Sequence, residues 1–530
     1  MKHSLLFITT LLVLTWHALI TQGCSSFPTP IPIDLNHPTI QKAFNDVDQM
    51  LEANMKATGV LNYMATITYR DELVWSKAYG QVNPLDPKSP PLTIDNTVRI
   101  ASITKTFTDL MMYELRDRGI ISLDDPVSKY YPEFTVRDPY GTAREITFRQ
   151  LASHQTGLPR EVPCNFDELQ DPTKCSEATI LERLGETFLI LPQYYHVHYS
   201  NLGMSVLGRT CEKAANKLYE DYVQEKILNP LGMLNSSYYY DDIKDRMAVG
   251  LNLDNGTYSA ADIYPLGWGT PMGGLYSSGR DMARYAAFWL SEENVILDSS
   301  TVHQAIQAGV YLVNDGQSSY GTPWETFFST QNNLWIREKA GALDGYRSQL
   351  GLVREYRLGV FISAMLFINT EDVWMMDAMD ILIPAFDAVL REAGSPIQIP
   401  GVPVNTSPHK ASLPNSAFVG LYLDDINGEC FRVMENGEQL TADFCDGRTF
   451  NVTEFSSETP TLKRIQVADA SLDTCWYMTM GENYEIAYFY FGDDRATSVM
   501  IMGQTTPLYS TNPNEVVARK KTMSARRMFN

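Results

Sequence analysis

Apolar residues recur at helical spacing at Phe107, Leu110, Met111 and Leu115, a pattern that predicts a helix stopped by Gly119. Leu202, Val206, Leu207 and Cys211 predict a second helix. Longer helices are expected near Ile40 to Ala57 and from about Asp372 to Arg391. Strand-like runs lie between them, at Tyr63 to Tyr69, Ser348 to Val353 and about Gly359 to Phe367. The alternation of helix and strand continues to about Ala393. Ser395 to Pro414 carries several prolines and no apolar period, so it reads as a linker. From Phe418 onward, short alternating segments such as Cys430 to Val433, Gln439 to Ala442 and Tyr484 to Phe491 predict a small antiparallel sheet or barrel.

The two ends of the chain have a different character. Lys2 precedes an apolar run from Leu5 to Ile20, and Gly23 supplies a small residue for cleavage, so residues 1–23 read as a signal peptide. The run is about 16 residues long, short for a membrane span. An uncleaved N-terminal anchor is the alternative. Cys24 is not expected to be a lipoprotein site, because Thr21 replaces the usual aliphatic residue three positions earlier. No later segment is long and apolar enough to cross a bilayer. The expected order is a main domain over 24–395, a linker over 396–414, a C-terminal β-domain over 415–515 and a basic tail over 516–530.

Composition narrows the picture without naming a substrate. The 530 residues are 44% hydrophobic and 20% charged, ordinary for a globular chain, and the net charge is −21. An acidic surface repels phosphate backbones, which argues against nucleic-acid partners. Secretion would favour disulfides among the seven cysteines. Cys164 and Cys175 bracket a short polar loop and are expected to pair. Two of Cys430, Cys445 and Cys475 are expected to pair, and Cys211 reads as a buried free thiol. Asn235, Asn255, Asn405 and Asn451 stand in N-x-S/T sites, which permit glycosylation in a eukaryotic secretory pathway.

The chemistry concentrates at Ser102 and Lys105. On a helix, positions i and i+3 share a face, so the amine can reach the hydroxyl. A serine hydroxyl is a weak nucleophile until a neighbouring base takes its proton. A lone Ser-x-x-Lys arises by chance about once in a chain of this length. Two further elements change its weight: Tyr199-Ser200-Asn201, ahead of a helical run, and Lys339-Ala340-Gly341, ahead of Asp344-Gly345-Tyr346 and a strand.

In this order the three elements resemble those of the serine β-lactamase and penicillin-binding protein superfamily. The Tyr-type second element is most similar to the class C β-lactamases, D-aminopeptidases, esterases and secreted β-lactamase-like proteins of eukaryotes. The resemblance extends through Leu123 to Val127, Ile146 to Pro159, Ile227 to Met233 and Gly273 to Arg284. It implies an α/β (α+β) fold, an antiparallel sheet flanked by helices with a helical subdomain, beside the small all-β domain. Ala417 to Tyr422 resembles the opening of accessory β-domains on some esterases and peptidases of the superfamily.

The resemblance implies an acyl-enzyme serine hydrolase without a cofactor, acting on a small-molecule or peptide substrate. Ser102 would attack an acyl carbonyl, and Lys105 would take its proton. Tyr199 would be a second proton carrier, its high free pKa brought down by Lys105 and Lys339. Asn201 would bond a substrate amide or hold Lys105. The N–H groups of Ser102 and Ala342, beside Gly341, would form the oxyanion hole. Ala340 departs from the pattern, which has threonine there to bind a substrate carboxylate. Its loss removes a charge-assisted hydrogen bond, roughly 1.5–3 kcal/mol if buried. That shifts the expectation from β-lactams toward esters, amides and small peptides. A member used for binding or assembly is the alternative, favoured by Ala340 and by Asp344 before Gly345. His196-Val-His198 lacks a following acidic-His pair, so no metal is expected. His154 reads as a loop-packing histidine.

Overall fold

The computed structural model describes residues 26–398, apart from 142–143, 165–167, 169–170, 172, 292–293, 308, 310, 314 and 368–373. It also describes 413–511, apart from 424–429, 438, 446–448, 455–460, 468–485, 492–494 and 502–507. The leader-like segment, Cys24, Asn405, Cys475, the centre of the Pro-rich stretch and the basic tail lie outside the described residues. The chain divides into two compact units, Pro28–Pro396 and one from Ile397 onward.

The larger unit is built on an eight-stranded antiparallel sheet. Its strands are β1 (Tyr63–Tyr69), β2 (Glu72–Tyr79), β3 (Tyr311–Leu312), β4 (Ser318–Tyr320), β5 (Glu325–Ser329), β6 (Leu334–Leu343), β7 (Tyr346–Val353) and β8 (Leu358–Ala364). The spatial order is β2-β1-β8-β7-β6-β5-β4-β3. Its helices include α1 (Pro38–Thr58), α2 (Thr104–Asp117), α3 (Asn201–Ala215), α4 (Gly279–Leu290) and α5 (Met375–Glu392).

Successive residues of β1 point to opposite faces, and the strand is buried along its whole length because both faces are covered. Tyr63 and Tyr69 face one layer: Tyr69 lies 4.9 Å from Phe386 of α5, which in turn meets Phe44 of α1. Met64, Thr66 and Thr68 face the other layer. There Thr68 Oγ1 donates to the Ala283 carbonyl of α4 at 3.3 Å, and Gly279 packs against Met64 and Thr66. Each large apolar side chain buried this way contributes about 1.5–3 kcal/mol. The α1 helix starts at Pro38, with the His37 side chain accepting from the Thr39 N–H, and buries the stripe Ile40, Ala43, Phe44, Val47 and Leu51.

The segment between β2 and β3 carries the helical part. There α2 runs through the interior, every residue from Thr104 to Leu115 buried. Its polar side chains are mostly satisfied: Thr106 Oγ1 donates to the Ile103 carbonyl and Thr108 Oγ1 to the Pro271 carbonyl. Asp109 is the exception, buried with neither carboxyl oxygen hydrogen-bonded. The helix ends at Asp117, and Gly119 follows at φ 70°, the left-handed conformation that a side chain resists. The C-terminal unit is a closed barrel of eight antiparallel strands, from Gly420–Leu423 to Leu508–Thr511. Phe418, Tyr422, Phe431 and Phe489 stand in its core.

Candidate active site

Ser102 lies in one 3-10 turn, Ala101–Ile103, that leads directly into α2. Ala101 is held at φ 50°, a strained conformation for a residue with a side chain. The turn is tied down through the Ile100 carbonyl, which accepts from the Ile103 N–H and from Ser348 Oγ of β7, each at 3.2 Å. It packs on β6 at Gly341, where a Cβ would come within 2.2 Å of the Ile100 carbonyl oxygen and 3.1 Å of the Ser102 nitrogen. Only glycine allows that approach. The β5–β6 ladder begins at Glu325↔Glu338. Beyond it, among the described residues, the edge of β6 through Ala342 has no strand partner.

Lys105 is fully buried, and its Nζ donates to Ser102 Oγ at 2.9 Å and to the Met272 carbonyl at 2.6 Å. Burial pushes its pKa below the usual lysine range; Tyr199 opposes the shift and Lys339 adds to it. Tyr199 precedes α3. Burial acts to raise its phenol, yet Lys105 and Lys339 outweigh burial and hold the pKa below that of a free tyrosine. Lys105 Nζ and Lys339 Nζ stand 5.0 and 5.1 Å from the Tyr199 ring centre, and the Arg160 guanidinium stands at 4.9 Å.

The next residue clamps this tyrosine. Ser200 caps α3, its Oγ accepting from the Gly203 N–H at 2.8 Å and donating to the Pro159 carbonyl at 2.6 Å. The Ser200 N–H donates to His154 Nδ1 at 3.2 Å, and the His154 ring lies 4.7 Å from that of Tyr199. Burial, then Lys105 and Lys339, hold the His154 pKa well below the usual histidine value. An Nδ1 that accepts from the Ser200 N–H assigns the ring's proton to Nε2. His154 does pack a loop, but what it packs against is Tyr199.

Lys339 is buried on β6, paired with Glu325 Oε1 on β5 at 2.7 Å. Burial lowers its amine, but Glu325 and Tyr199 outweigh this and hold the pKa above the usual lysine value. Ser102, Lys105, Tyr199, Lys339 and Gly341 thus converge from three distant parts of the chain. Asn201 differs from one expected arrangement. Its amide donates to both Glu161 carboxylate oxygens at 3.0 Å, in place of a bond to Lys105. Glu325, the Met272 carbonyl and the contact of His154 with Tyr199 were not legible in the motifs.

The remaining sequence candidates are placed as follows. Cys164 pairs with Cys175 and Cys430 with Cys445, and Cys211 is a buried free thiol. Asn255 lies exposed in the turn between the strands Leu251–Asp254 and Thr257–Ala260. Asn235 is half-buried, and Asn451 accepts from Gln439 within the barrel. His196 turns to the Val197 carbonyl and the Tyr311 ring. Among the described residues, no three His, Cys, Asp or Glu side chains group as metal ligands would, and no helix is long and apolar enough to cross a membrane.

Comparison with known proteins addresses the family. Residues 47–373 match the family model described as Beta-lactamase. Beta-lactamase-like protein 2 of Dictyostelium discoideum is 49% identical over 520 residues, 96% of this chain and 94% of its own. The D-alanyl-D-alanine-carboxypeptidase/endopeptidase AmpH of Escherichia coli K12 is 27% identical over 54% of this chain and 74% of its own. The crystal structure of a β-lactamase/D-alanine carboxypeptidase from Yersinia pestis, complexed with citrate, aligns at TM-score 0.55 and 25% identity, over 65% of this chain and 99% of its own. A family match through most of the larger unit, together with near-half identity along almost the whole length, makes this chain a member of the β-lactamase family.

Proposed function

We propose that this protein is a serine hydrolase that works through an acyl-enzyme on Ser102 and acts on small esters, amides or peptides. The observation that carries this reading is the Lys105 amine, buried, depressed in pKa and 2.9 Å from Ser102 Oγ. A neutral amine there takes the serine proton as Oγ attacks the acyl carbonyl. Tyr199, beside both lysines, passes a proton to the leaving group and then draws one from the water that releases the acyl chain. The N–H groups of Ser102 and Ala342 receive the oxyanion.

The substrate preference follows from two residues on neighbouring strands. Ala340 brings no hydroxyl to a substrate carboxylate, and Glu325 already neutralises Lys339. A carboxylate-bearing β-lactam or D-Ala-D-Ala peptide therefore gains less here than an uncharged ester or amide. Export directed by residues 1–23, and glycosylation at sites such as the exposed Asn255, belong to the same proposal.

The test is labelling by a fluorophosphonate probe, followed by a panel of nitrocefin, p-nitrophenyl esters and D-amino-acid amides. Labelling that Ser102→Ala abolishes, with turnover of esters or amides well above nitrocefin, is the expected result. Efficient nitrocefin turnover would overturn the substrate argument. An unlabelled Ser102 and a silent panel would favour a binding or assembly role.

A further inference from the structure

A row of side chains leads outward from Lys339 across the sheet. Glu325 of β5, which holds Lys339, stands opposite Tyr320 of β4, and Tyr320 stands opposite Tyr311 of β3. Residues directly opposite in antiparallel strands share a face of the sheet, so the three side chains line up on one side. Burial raises the pKa of the Tyr320 phenol, Glu325 adds to the shift and Lys339 opposes it, so the inner end of the row is within electrostatic reach of the serine site. Tyr320 and Tyr199 also pack on one ring, that of the buried His154, at 6.4 and 4.7 Å. Unlike His154, both tyrosines are only half-buried, as is Tyr311, and each keeps part of its surface open to solvent.

The loop 187–198 meets the outer end of this row. Three backbone bonds pin it to the segment of His154. The Ile190 N–H donates to the Gly157 carbonyl at 2.8 Å, and those of Tyr194 and His198 donate to the Gln155 and His154 carbonyls, each at 2.9 Å. Tyr194 is held at φ 61°, a left-handed conformation that a bulky residue resists, and its ring is exposed all the same. Tyr195 beside it is 70% exposed. His196 joins loop to strand, its ring 5.3 Å from that of Tyr311. Glu325 on β5 and Tyr311 on β3 are two strand spacings apart, about 10 Å, which is room for a hexyl chain.

We propose that this row of rings seats the leaving group of the substrate, so that the enzyme prefers esters of apolar alcohols, or amides of apolar amines, to those with a short leaving group. The proposal rests on the serine hydrolase reading. In acylation the bond from Ser102 Oγ to the carbonyl carbon forms as the serine proton passes to Lys105. The ester bond from that carbon to oxygen breaks as Tyr199 gives its proton to the departing alcohol. The leaving oxygen therefore stands beside Tyr199. Tyr320, packed with Tyr199 on the His154 ring, is the next surface that its chain meets. An apolar chain laid on tyrosine rings sheds water, and a gain kept through the transition state appears in kcat/KM.

The test compares kcat/KM of the unmodified protein for ethyl, butyl and hexyl acetate, whose alcohols are of nearly equal acidity. Hexyl acetate should exceed ethyl acetate by about tenfold, the effect of added methylenes covered on one side. Ethyl butyrate and ethyl hexanoate, which put the same carbons on the acyl side, should gain less. This comparison needs no variant to fold. Tyr311→Ser should cut the hexyl-to-ethyl ratio by about threefold or more. Tyr488→Ser, at an exposed tyrosine of the C-terminal barrel, should keep it. Equal rates along the alcohol series, an equal or larger gain along the acyl series, or an unchanged ratio in Tyr311→Ser would overturn the proposal and leave the hydrolase reading in place. An unlabelled Ser102 with no ester turned over would overturn both.

Discussion

Lys339 and Glu325 act in opposite directions on the same two groups. The lysine lowers the pKa of both Lys105 and Tyr199, and the glutamate raises both. Under the proposed mechanism the rate rises with pH as Lys105 loses its proton, with an apparent pKa below the free lysine value of about 10.4. Lys339→Ala should move that rising limb to higher pH, and Glu325→Gln should move it to lower pH. A pH–rate profile of ester acylation for the three proteins checks this, and shifts of equal sign would contradict it. The limb belongs to the coupled Lys105–Tyr199 pair, not to either residue alone. Tyr199→Phe should slow acyl transfer by roughly 10²–10⁴-fold, the range of a general acid–base group, with folding unchanged by circular dichroism. Ser102 and Lys105 were legible because i and i+3 meet across a continuous helical turn, here a 3-10 turn running into α2, whatever the rest of the chain does. Glu325 was not. Its place beside Lys339 depends on the register Glu325↔Glu338, which no local pattern encodes. The contact of His154 with Tyr199 is likewise made only by the fold, across 45 residues of sequence.

At the scale of elements, α2 has a cost built into it. Asp109 is buried without a partner, and burial raises its pKa well above the usual aspartate value. A raised pKa means that the folded state holds a proton the unfolded state gives up. The associated stability is therefore full below the unfolded pKa of about 3.9 and falls as pH rises toward the folded value. Asp109→Asn cannot ionise and should abolish that slope. Thermal unfolding from pH 5 to pH 8 should show the variant gaining on the unmodified protein as pH rises, and a constant difference would show that Asp109 is neutralised by other means. The periods that predicted the helices and strands were readable because they are local: the strand Tyr63–Tyr69 agrees residue for residue, and α1 and α5 agree to within a few residues. The order of strands was not readable, since apolar alternation reports a strand's faces and not its neighbours. For the C-terminal strands, alternation left a sheet or a barrel open, and the fold closes them into a barrel.

At the scale of the whole molecule, the sheet order has a consequence in time. The strand β1 lies near the start of the larger unit, yet one of its two neighbours is β8, with Ile67 opposite Val360. Protein synthesis adds about 5–20 residues per second, so β1 leaves the ribosome roughly 15–60 s before that partner exists. Its other neighbour, β2, follows at once, but an isolated two-stranded hairpin is marginal in water. During the wait the face of β1 that meets α5 is uncovered and the edge that pairs with β8 is unpaired. Nascent chains stalled before residue 358 should therefore be cut by protease within β1, and chains long enough to expose α5 should be protected there. Equal protection at both lengths would mean that the helical segment shelters the strand first. The same delay marks the interval in which a chaperone at the ribosome has most to offer this chain.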